Sequence, residues 1–366
     1  MILSKYPYVV QKEILDNMEY SELFLLSFVS KNMKKLIKLS QKKRFEGISS
    51  IRYDCAELSA PLVHIPSSDD VILETISGEN WVILMEKVKH ANGRYYNFQL
   101  NVSGKILDFQ MCYTNGHPIV CLHNRDNESV FPSIHNYILD LFGTSMQYNW
   151  YEEDLKRYFI PKLQNVSFCI DMHLAQDFTD MENLETFFST SPVFKWIRLN
   201  AALTSQPFSP ESKFYQAESI IINQSQHSFP AILRHFEGRQ ATIECSEWET
   251  SEDLIGFVNR WKSGAAFQKL EYLKFKLLKG PLRKNQILNE IGAQYIDRAK
   301  KPPTHSLPKV YDFDYIPTEP NTDPIISRAY VVRQSDSYVA SILIEEKTIS
   351  FGVWNKTEEE FLKLMN

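Results

Sequence analysis

The chain has 366 residues, of which 43% are hydrophobic and 23% are charged, a balance typical of folded globular proteins and not of disordered, collagen-like or coiled-coil chains. This length predicts about two or three domains. The net charge of -5 is uneven, because residues 1–44 hold nine Lys and Arg against four Asp and Glu, a balance of +5 that leaves -10 for the rest. We therefore expect the N-terminal segment to have a separate electrostatic role.

Membrane, secreted and nucleotide-binding classes are not indicated. No run approaches the roughly 20 apolar residues of a membrane span, and the first residues lack the regions of a signal peptide. The five cysteines are scattered and odd in number, as in reduced proteins. Glycine is scarce, with 12 residues, and no glycine-rich phosphate loop occurs. We expect a cytoplasmic or nuclear protein without membrane contact.

The first 45 residues predict three short helices. Pro7 suits the first turn of helix one, Ser21 is a cap for helix two, and Ser30 is a cap for helix three. Positions 6–39 contain 18 hydrophobic side chains among 34 residues, which is more than three short helices can bury. The surplus predicts a partner protein or docking on the rest of the chain.

One face of the third predicted helix is basic. Its residues are Lys31, Lys34, Lys35, Lys38 and Lys42. Basic helices bind phosphate backbones, but this face lacks the Arg, Asn and Gln side chains that read bases. An ordinary solvated face is the first interpretation, an acidic protein partner the second, and nucleic acid the weaker hypothesis.

From about residue 49 the apolar period changes to two, which predicts an antiparallel sheet and then one helix. The predicted elements are strands Ile51–Cys55, Val71–Ile76, Trp81–Lys87, Tyr95–Val102 and Ile119–Leu122, hairpin turns at Asn92-Gly93 and Asn115-Gly116, and a helix over Ser133–Phe142 that ends at Gly143.

Residues 151–297 contain an irregular repeat of apolar residues separated by helical stretches. The aligned sets are Leu163/Val166/Phe168, Phe194/Ile197/Leu199, Ala217/Ile220/Ile222, Gln240/Ile243/Cys245 and Leu270/Leu273/Phe275. The predicted helices are Met181–Phe188, Phe229–Phe236 and Ser251–Trp261. A strand and a helix every 20 to 30 residues or so are typical of leucine-rich-repeat-like stacking.

A proline-rich connector over residues 298–324 leads to a last group of strands and a helix. These are Tyr330–Arg333, Tyr338–Ile344, Thr348–Val353 and a helix that begins at the capping box of Thr357 and Glu360. The predicted fold class is α+β. The predicted segments are residues 1–45, 46–150, 151–297 and 298–366.

Two clusters contain residue types that can bind metal, and neither has a standard spacing. They are Cys112/His117/Cys121/His123 and Asp171/His173/Asp177/Asp180. In zinc sites the ligands usually occur as closely spaced pairs in the sequence, and neither cluster has such a standard spacing. No nucleophile motif occurs either. We expect no catalytic residue, no cofactor and no metal, hence a non-catalytic protein.

Residues 6–37 resemble an F-box. The matching positions are Pro7, Val10, Ile14, Leu15, Met18, Glu22, Leu23, Leu26, Val29, Ser30, Lys31, Leu36 and Ile37. Two positions depart from the pattern, since Tyr6 replaces the leucine before the proline and Met33 stands where many members have tryptophan. The resemblance implies docking on the Skp-type adaptor of an SCF cullin-RING ubiquitin ligase. The residues it assigns to adaptor contact or to the interior of the F-box are Pro7, Val10, Ile14, Leu15, Leu23, Leu26 and Val29.

The C-terminal half resembles the F-box-associated domain of the nematode type. The similar stretches are Ser251–Phe275 and Ile326–Trp354. This resemblance implies capture of a protein substrate, without assigning binding residues. The sequence thus predicts the substrate-recognition subunit of an SCF-type ligase. Two alternatives stay open: a leucine-rich-repeat-like scaffold whose N-terminal helices dock on its own body, and a nucleic-acid-binding protein.

Overall fold

The computed structural model describes residues 3–55, 62–66, 81–87, 95–112, 118–122, 127–152, 160–174, 181–200, 208–225, 229–245, 252–278, 280–311 and 320–365. The chain divides into two compact units. The first consists chiefly of residues 1–153, and the second chiefly of residues 169–313 and 318–366.

The first unit begins with four short helices and continues with strands and one longer helix. Its elements are α1 Tyr8–Asp16, α2 Tyr20–Leu26, α3 Lys31–Ser40, α4 Lys42–Glu46, β1 Ser50–Asp54, β2 Leu62–His64, β3 Trp81–Lys87, β4 Tyr95–Val102, β5 Lys105–Cys112, β6 Pro118–Leu122, α5 Asn127–Phe142 and β7 Gln147–Glu152. The three predicted helices are present, and α4 is an addition that the sequence analysis missed.

The strands of the first unit form a mixed sheet in the order β7-β1-β2-β3-β6-β5-β4. The prediction of an antiparallel sheet is wrong in two places, since β1 pairs with β7 and β3 pairs with β6 in parallel. Each of these pairs joins strands that are distant in the chain, which a local pattern cannot reveal. The β4–β5 hairpin turns at Ser103 and Gly104, both with positive φ.

Several helix boundaries differ from the prediction for local reasons. Pro7 is the residue before α1 and not part of its first turn. Helix α2 begins after Glu19 and not at Ser21, because the Glu22 carboxylate accepts a hydrogen bond from the Glu19 N–H at 2.8 Å. Helix α5 begins well before the predicted Ser133 and contains Pro132.

Other predictions for this unit have mixed outcomes. The Ser30 cap is confirmed, because its hydroxyl accepts from the Met33 N–H at 3.1 Å. Gly143 follows α5 with a φ of 103°, as a helix-ending glycine does. The strand predicted over residues 71–76 and both Asn-Gly turns lie outside the described residues.

The second unit alternates strands and helices and then ends in an antiparallel group. Its elements are β8 Val166–His173, α6 Met181–Thr190, β9 Trp196–Asn200, β10 Ser219–Ser225, α7 Phe229–His235, β11 Gln240–Cys245, α8 Glu252–Ser263, β12 Tyr272–Leu277, α9 Lys284–Glu290, β13 Gln294–Tyr295, β14 Thr304–His305, β15 Ile325–Ile326, β16 Ala329–Val332, β17 Tyr338–Ile344, β18 Thr348–Thr357 and α10 Glu358–Lys363. The capping box at Thr357 and Glu360 is confirmed.

Strands β8 to β12 pair in parallel and in chain order, so the predicted alternation is present. The register corrects two of the aligned sets: Ile170 and Ala241 lie in one row with Ile197, Ile220 and Leu273. The alignment had placed Val166 and Ile243 in that row. These shifts are even numbers of residues, so the same side chains still face one side of the sheet. The leucine-rich-repeat-like description itself stays a prediction.

The proline-rich connector is ordered where the structure describes it. The Gln240 side chain donates to the Pro308 carbonyl at 2.8 Å and accepts from the Val310 N–H at 3.1 Å. The buried His305 ring donates from Nε2 to the Val353 carbonyl at 3.0 Å. These contacts attach the described part of the connector to the sheet of the second unit.

Candidate functional site: the N-terminal helices

Helix α1 faces solvent with large apolar side chains. Val9 is 76% exposed, Tyr8 53% and Val10 40%. Tyr6 before the helix is 42% exposed, and Val29 before α3 is 70% exposed. Water contact at so many apolar side chains is unfavourable. We name Tyr6, Tyr8, Val9, Val10 and Val29 the exposed apolar set.

The C-terminal end of α1 and the residues after it contact the other helices. Leu15 is fully buried. The Gln41 amide, from the junction of α3 and α4, donates to the Asp16 carboxylate at 2.7 Å, and Arg44 donates to the Met18 carbonyl at 2.7 Å. The helices therefore share polar contacts at their ends as well as an apolar interior.

Helix α2 packs against α5 of the same unit through aromatic rings. Phe24 is fully buried and meets the Tyr137 ring edge-on at 5.7 Å. Phe28 stacks on Tyr137 at 4.0 Å. The Tyr137 hydroxyl lies 2.7 Å from the Ser27 hydroxyl, and burial raises the pKa of Tyr137 to about 12. This face of the helical module is thus occupied by the chain itself.

The lysine face of α3 is partly neutralised by carboxylates. Lys34 and Lys38 both contact the Asp140 carboxylate of α5, at 2.6 and 2.8 Å. The Lys34 ammonium also lies 3.5 Å from the centre of the Tyr137 ring. Lys42 lies 3.8 Å from the Glu46 carboxylate, whereas Lys31 and Lys35 are exposed. Because Asp140 already forms ion pairs with two of the five lysines, this face is poorly suited to binding a phosphate backbone.

The seven residues assigned to adaptor contact or to the F-box interior fall into three classes. Pro7, Val10 and Val29 are exposed, Ile14 and Leu26 are half-buried, and Leu15 and Leu23 are buried. The F-box pattern thus includes surface and interior residues alike, and the buried Leu15 and Leu23 belong to the interior of the helical module.

The sequence analysis missed Val9 and Tyr8, which are more exposed than Val10. For Val9, helical spacing contains the signal. Val9 is six residues before the buried Leu15, which places it about 120° around the helix from Leu15. Apolar residues off the buried stripe of a short amphipathic helix indicate a second contact surface.

The two clusters considered for metal binding are only partly described. Asp171 accepts from the Arg198 guanidinium at 3.1 Å and from the Asn200 amide at 3.3 Å. His117, His123, Asp177 and Asp180 lie outside the described residues. Within the described part of the chain, no group of three or more His, Cys, Asp or Glu side chains could hold a metal ion. Nor does any helix there combine the length and apolar character of a membrane span.

The module is a short helical bundle with one face packed on its own chain and one apolar face in solvent. Residues 7–45 match the family model of the F-box domain. The match supports an F-box protein and, in general, a substrate-adaptor role in SCF complexes, whose F-box subunits bind Skp1-type adaptors and are typically non-catalytic. No curated protein and no solved structure matches the chain.

Proposed function

We propose that the chain is the substrate-recognition subunit of an SCF-type cullin-RING ubiquitin ligase. It binds a Skp-type adaptor through the exposed apolar set and a protein target through the second unit. The observation that carries the proposal is the coincidence of the F-box match at residues 7–45 with large apolar side chains that this segment leaves in solvent. Apolar and aromatic side chains form the buried centre of stable interfaces.

The proposed activity needs no covalent chemistry from this chain. A subunit that holds a target close to an enzyme in the same assembly raises the effective concentration of the reacting groups. Its residues then act through affinity and positioning alone. The F-box-associated resemblance of the second unit and a cytoplasmic or nuclear location belong to this proposal.

Co-expression with a Skp-type adaptor tests the proposal. The variant Val9→Lys with Val29→Lys charges two side chains that are 76% and 70% exposed, so we expect it to fold normally and lose co-purification. Ile106→Lys is the matched control, because Ile106 is 65% exposed on β5, outside the F-box. A folded wild-type chain that binds no adaptor contradicts the proposal, as does equal loss in the control.

A second candidate function is supported by the packing of α2 and α3 on α5. Helices docked on their own body are what the scaffold alternative requires. The aromatic contact of Phe28 with Tyr137 at 4.0 Å and the paired lysines at Asp140 fit it. It leaves Val9 and Val29 without a role, which is why the ligase subunit is preferred.

A further inference from the structure

Strand β4 is an edge of the sheet in the first unit. Among the strands that the structure describes, β4 pairs with β5 alone, at every position from Tyr95 with Cys112 to Val102 with Lys105. The register is continuous along all eight residues of β4. An edge strand of this kind leaves a row of main-chain N–H and C=O groups that can pair with a further strand.

The hairpin geometry determines which backbone groups of β4 point away from β5. The two-residue turn at Ser103 and Gly104 has positive φ at both positions, as type I′ hairpins require. The residues that flank such a turn exchange both main-chain hydrogen bonds across the hairpin, and so does every second residue before them. Counting back from Val102, the residues between these positions direct their N–H and C=O groups outward. They are Asn97, Gln99 and Asn101, which we name the amide row.

Strand β4 lacks the features that prevent edge strands from pairing with other chains. Its sequence, YYNFQLNV, contains no charged residue, no proline and no glycine, whereas edges are commonly protected by charges, prolines or bulges. The side chains of the amide row are exposed on one face of the strand. On the other face, Phe98 and Leu100 are only half-buried. A further strand would therefore find open backbone groups and an incompletely covered apolar row.

The amide row is complementary to itself. When two copies of β4 run antiparallel about a two-fold axis at Gln99, Gln99 faces its own counterpart and Asn97 faces Asn101 of the other copy. All of these residues point their backbone groups outward, so about six main-chain hydrogen bonds can form. Side-chain amides contain both donors and acceptors, so identical amides can bond to each other. On the opposite face Phe98 meets Leu100, at the closer spacing of a non-hydrogen-bonded pair.

The carboxylate that faces Gln99 on β5 does not oppose this pairing. The Gln99 side-chain amide donates to the Asp108 carboxylate at 2.7 Å. In the paired form the two Asp108 residues are separated by three strand spacings, about 14 Å. This separation exceeds the Debye length of about 8 Å at physiological ionic strength. Repulsion between the two carboxylates is therefore largely screened.

We propose that β4 pairs with β4 of a second copy of this chain, antiparallel and centred on Gln99, so that the protein forms a homodimer. The self-complementary amide row and the absence of charge in β4 favour this occupant over an extended segment of another protein. The inference goes beyond the proposed function, because it requires neither adaptor nor target. A dimer would carry two target-binding regions and so bind a target with two recognition segments more tightly.

Sedimentation velocity of the full chain without adaptor, over a series of concentrations, tests the inference. The wild type should change from monomer to dimer as the concentration rises. The test variant is Gln99→Lys, which places two ammonium groups opposite each other at the axis. Within one chain the new lysine faces Asp108, so the hairpin should fold. The control is Ile106→Lys, which adds the same charge on β5 at a position that is 65% exposed and away from the edge.

We expect Gln99→Lys to weaken dimerisation roughly fivefold or more and the control to stay within about twofold of wild type. Asn97→Pro removes one outward N–H without breaking the bonds between β4 and β5. Symmetry removes two hydrogen bonds from the dimer, so this variant should dimerise roughly tenfold more weakly. A mixture of the Gln99→Lys and Gln99→Glu chains should recover dimerisation, because opposite charges then face each other. Thermal unfolding verifies that each variant folds.

Three results would overturn the inference. The first is a folded wild-type chain that stays monomeric at every concentration. The second is dimerisation that Gln99→Lys and Asn97→Pro weaken no more than the control does, which would assign the interface to another surface. The third is a mixture of the two charged variants that dimerises no better than either variant alone, which would remove Gln99 from the axis. Adaptor binding is measured separately and is independent of all three results.

Discussion

In α1, Val9 is 76% exposed and Val10 is 40% exposed, whereas in α2 both Leu23 and Phe24 are fully buried. The two helices belong to one match to the F-box domain and have similar apolar content. The difference arises from what lies beside them: α5 provides Tyr137 as a packing surface for α2. Composition alone therefore does not distinguish residues that hold the module together from residues that are free to bind.

The largest change in unfolding free energy is expected when a lysine replaces a buried residue of α2, and it should be absent when a lysine replaces an exposed residue of the same module. Leu23→Lys buries an ammonium group that cannot reach water and should cost about 4 kcal/mol or more of unfolding free energy. Val29→Lys should cost within about 0.5 kcal/mol, because Val29 is 70% exposed. Chemical denaturation of both variants measures the contrast. Equal losses would mean that the two faces do not differ as described.

Removing an aromatic ring from the α2 face should have the next largest effect. Phe24→Ala empties a fully buried site between Phe28 and Tyr137, with ring centres at 5.1 and 5.7 Å. The expected loss is about 3 kcal/mol. Tyr8→Ala, which truncates an exposed ring, is the matched control and should be nearly neutral. A thermal midpoint unchanged by Phe24→Ala would show that packing against α5 does not stabilise α2.

A smaller effect is expected from the buried hydroxyl pair. Ser27→Ala removes the hydroxyl that lies 2.7 Å from the Tyr137 hydroxyl and should cost about 1 to 2 kcal/mol. The double variant with Tyr137→Phe should recover part of this loss, since no buried hydroxyl then lacks its partner. A double-mutant cycle measures the coupling. Strict additivity would show that the two hydroxyls do not interact.

The smallest effect is expected at Asp140. The hydrogen bonds donated by Lys34 and Lys38 lower the pKa of the Asp140 carboxyl. A lowered pKa in the folded state gives stability that is complete above the ordinary value of about 4 and is lost as the pH falls through the folded value. Asp140→Asn should therefore cost about 0.5 kcal/mol at neutral pH and almost nothing in strong acid.

The control for Asp140 is Glu46→Gln, which removes a looser contact with Lys42 at 3.8 Å. At neutral pH this control should cost less than Asp140→Asn, and unfolding curves measured across the acidic range should show the loss for Asp140→Asn shrinking as the pH falls. A difference for Asp140→Asn that grows on acidification would contradict the assigned cause of the pKa shift.

Local patterns predicted many elements of the fold, and long-range pairing limited the rest. Strands Trp81–Lys87, Tyr95–Val102 and Tyr338–Ile344 have the bounds that alternation predicted. The parallel pairing of β1 with β7 was missed because it depends on residues about a hundred positions apart. The predicted alignment of the repeat placed Val166 where the strand pairing has Ile170, for the same reason. Periodicity determines which face of the sheet a residue lies on, but it does not determine which residues of neighbouring strands are paired.

The sequence predicted the residues of the candidate site without separating exposed from buried side chains. The F-box pattern includes Leu23 and Val29 alike, because it records apolar type and spacing, and burial is decided by neighbours such as Tyr137 that lie outside the pattern. Val9 could have been found from its angle to Leu15 on α1.

Hydrogen exchange of the full chain with and without a Skp-type adaptor tests the central claim most directly. The account predicts slower exchange on binding in α1 and in the residues around Val29, with little change in the interior of α2, which is already protected by burial. Slowed exchange confined to residues outside 7–45, or no change at all with an adaptor that binds other F-box proteins, would contradict it.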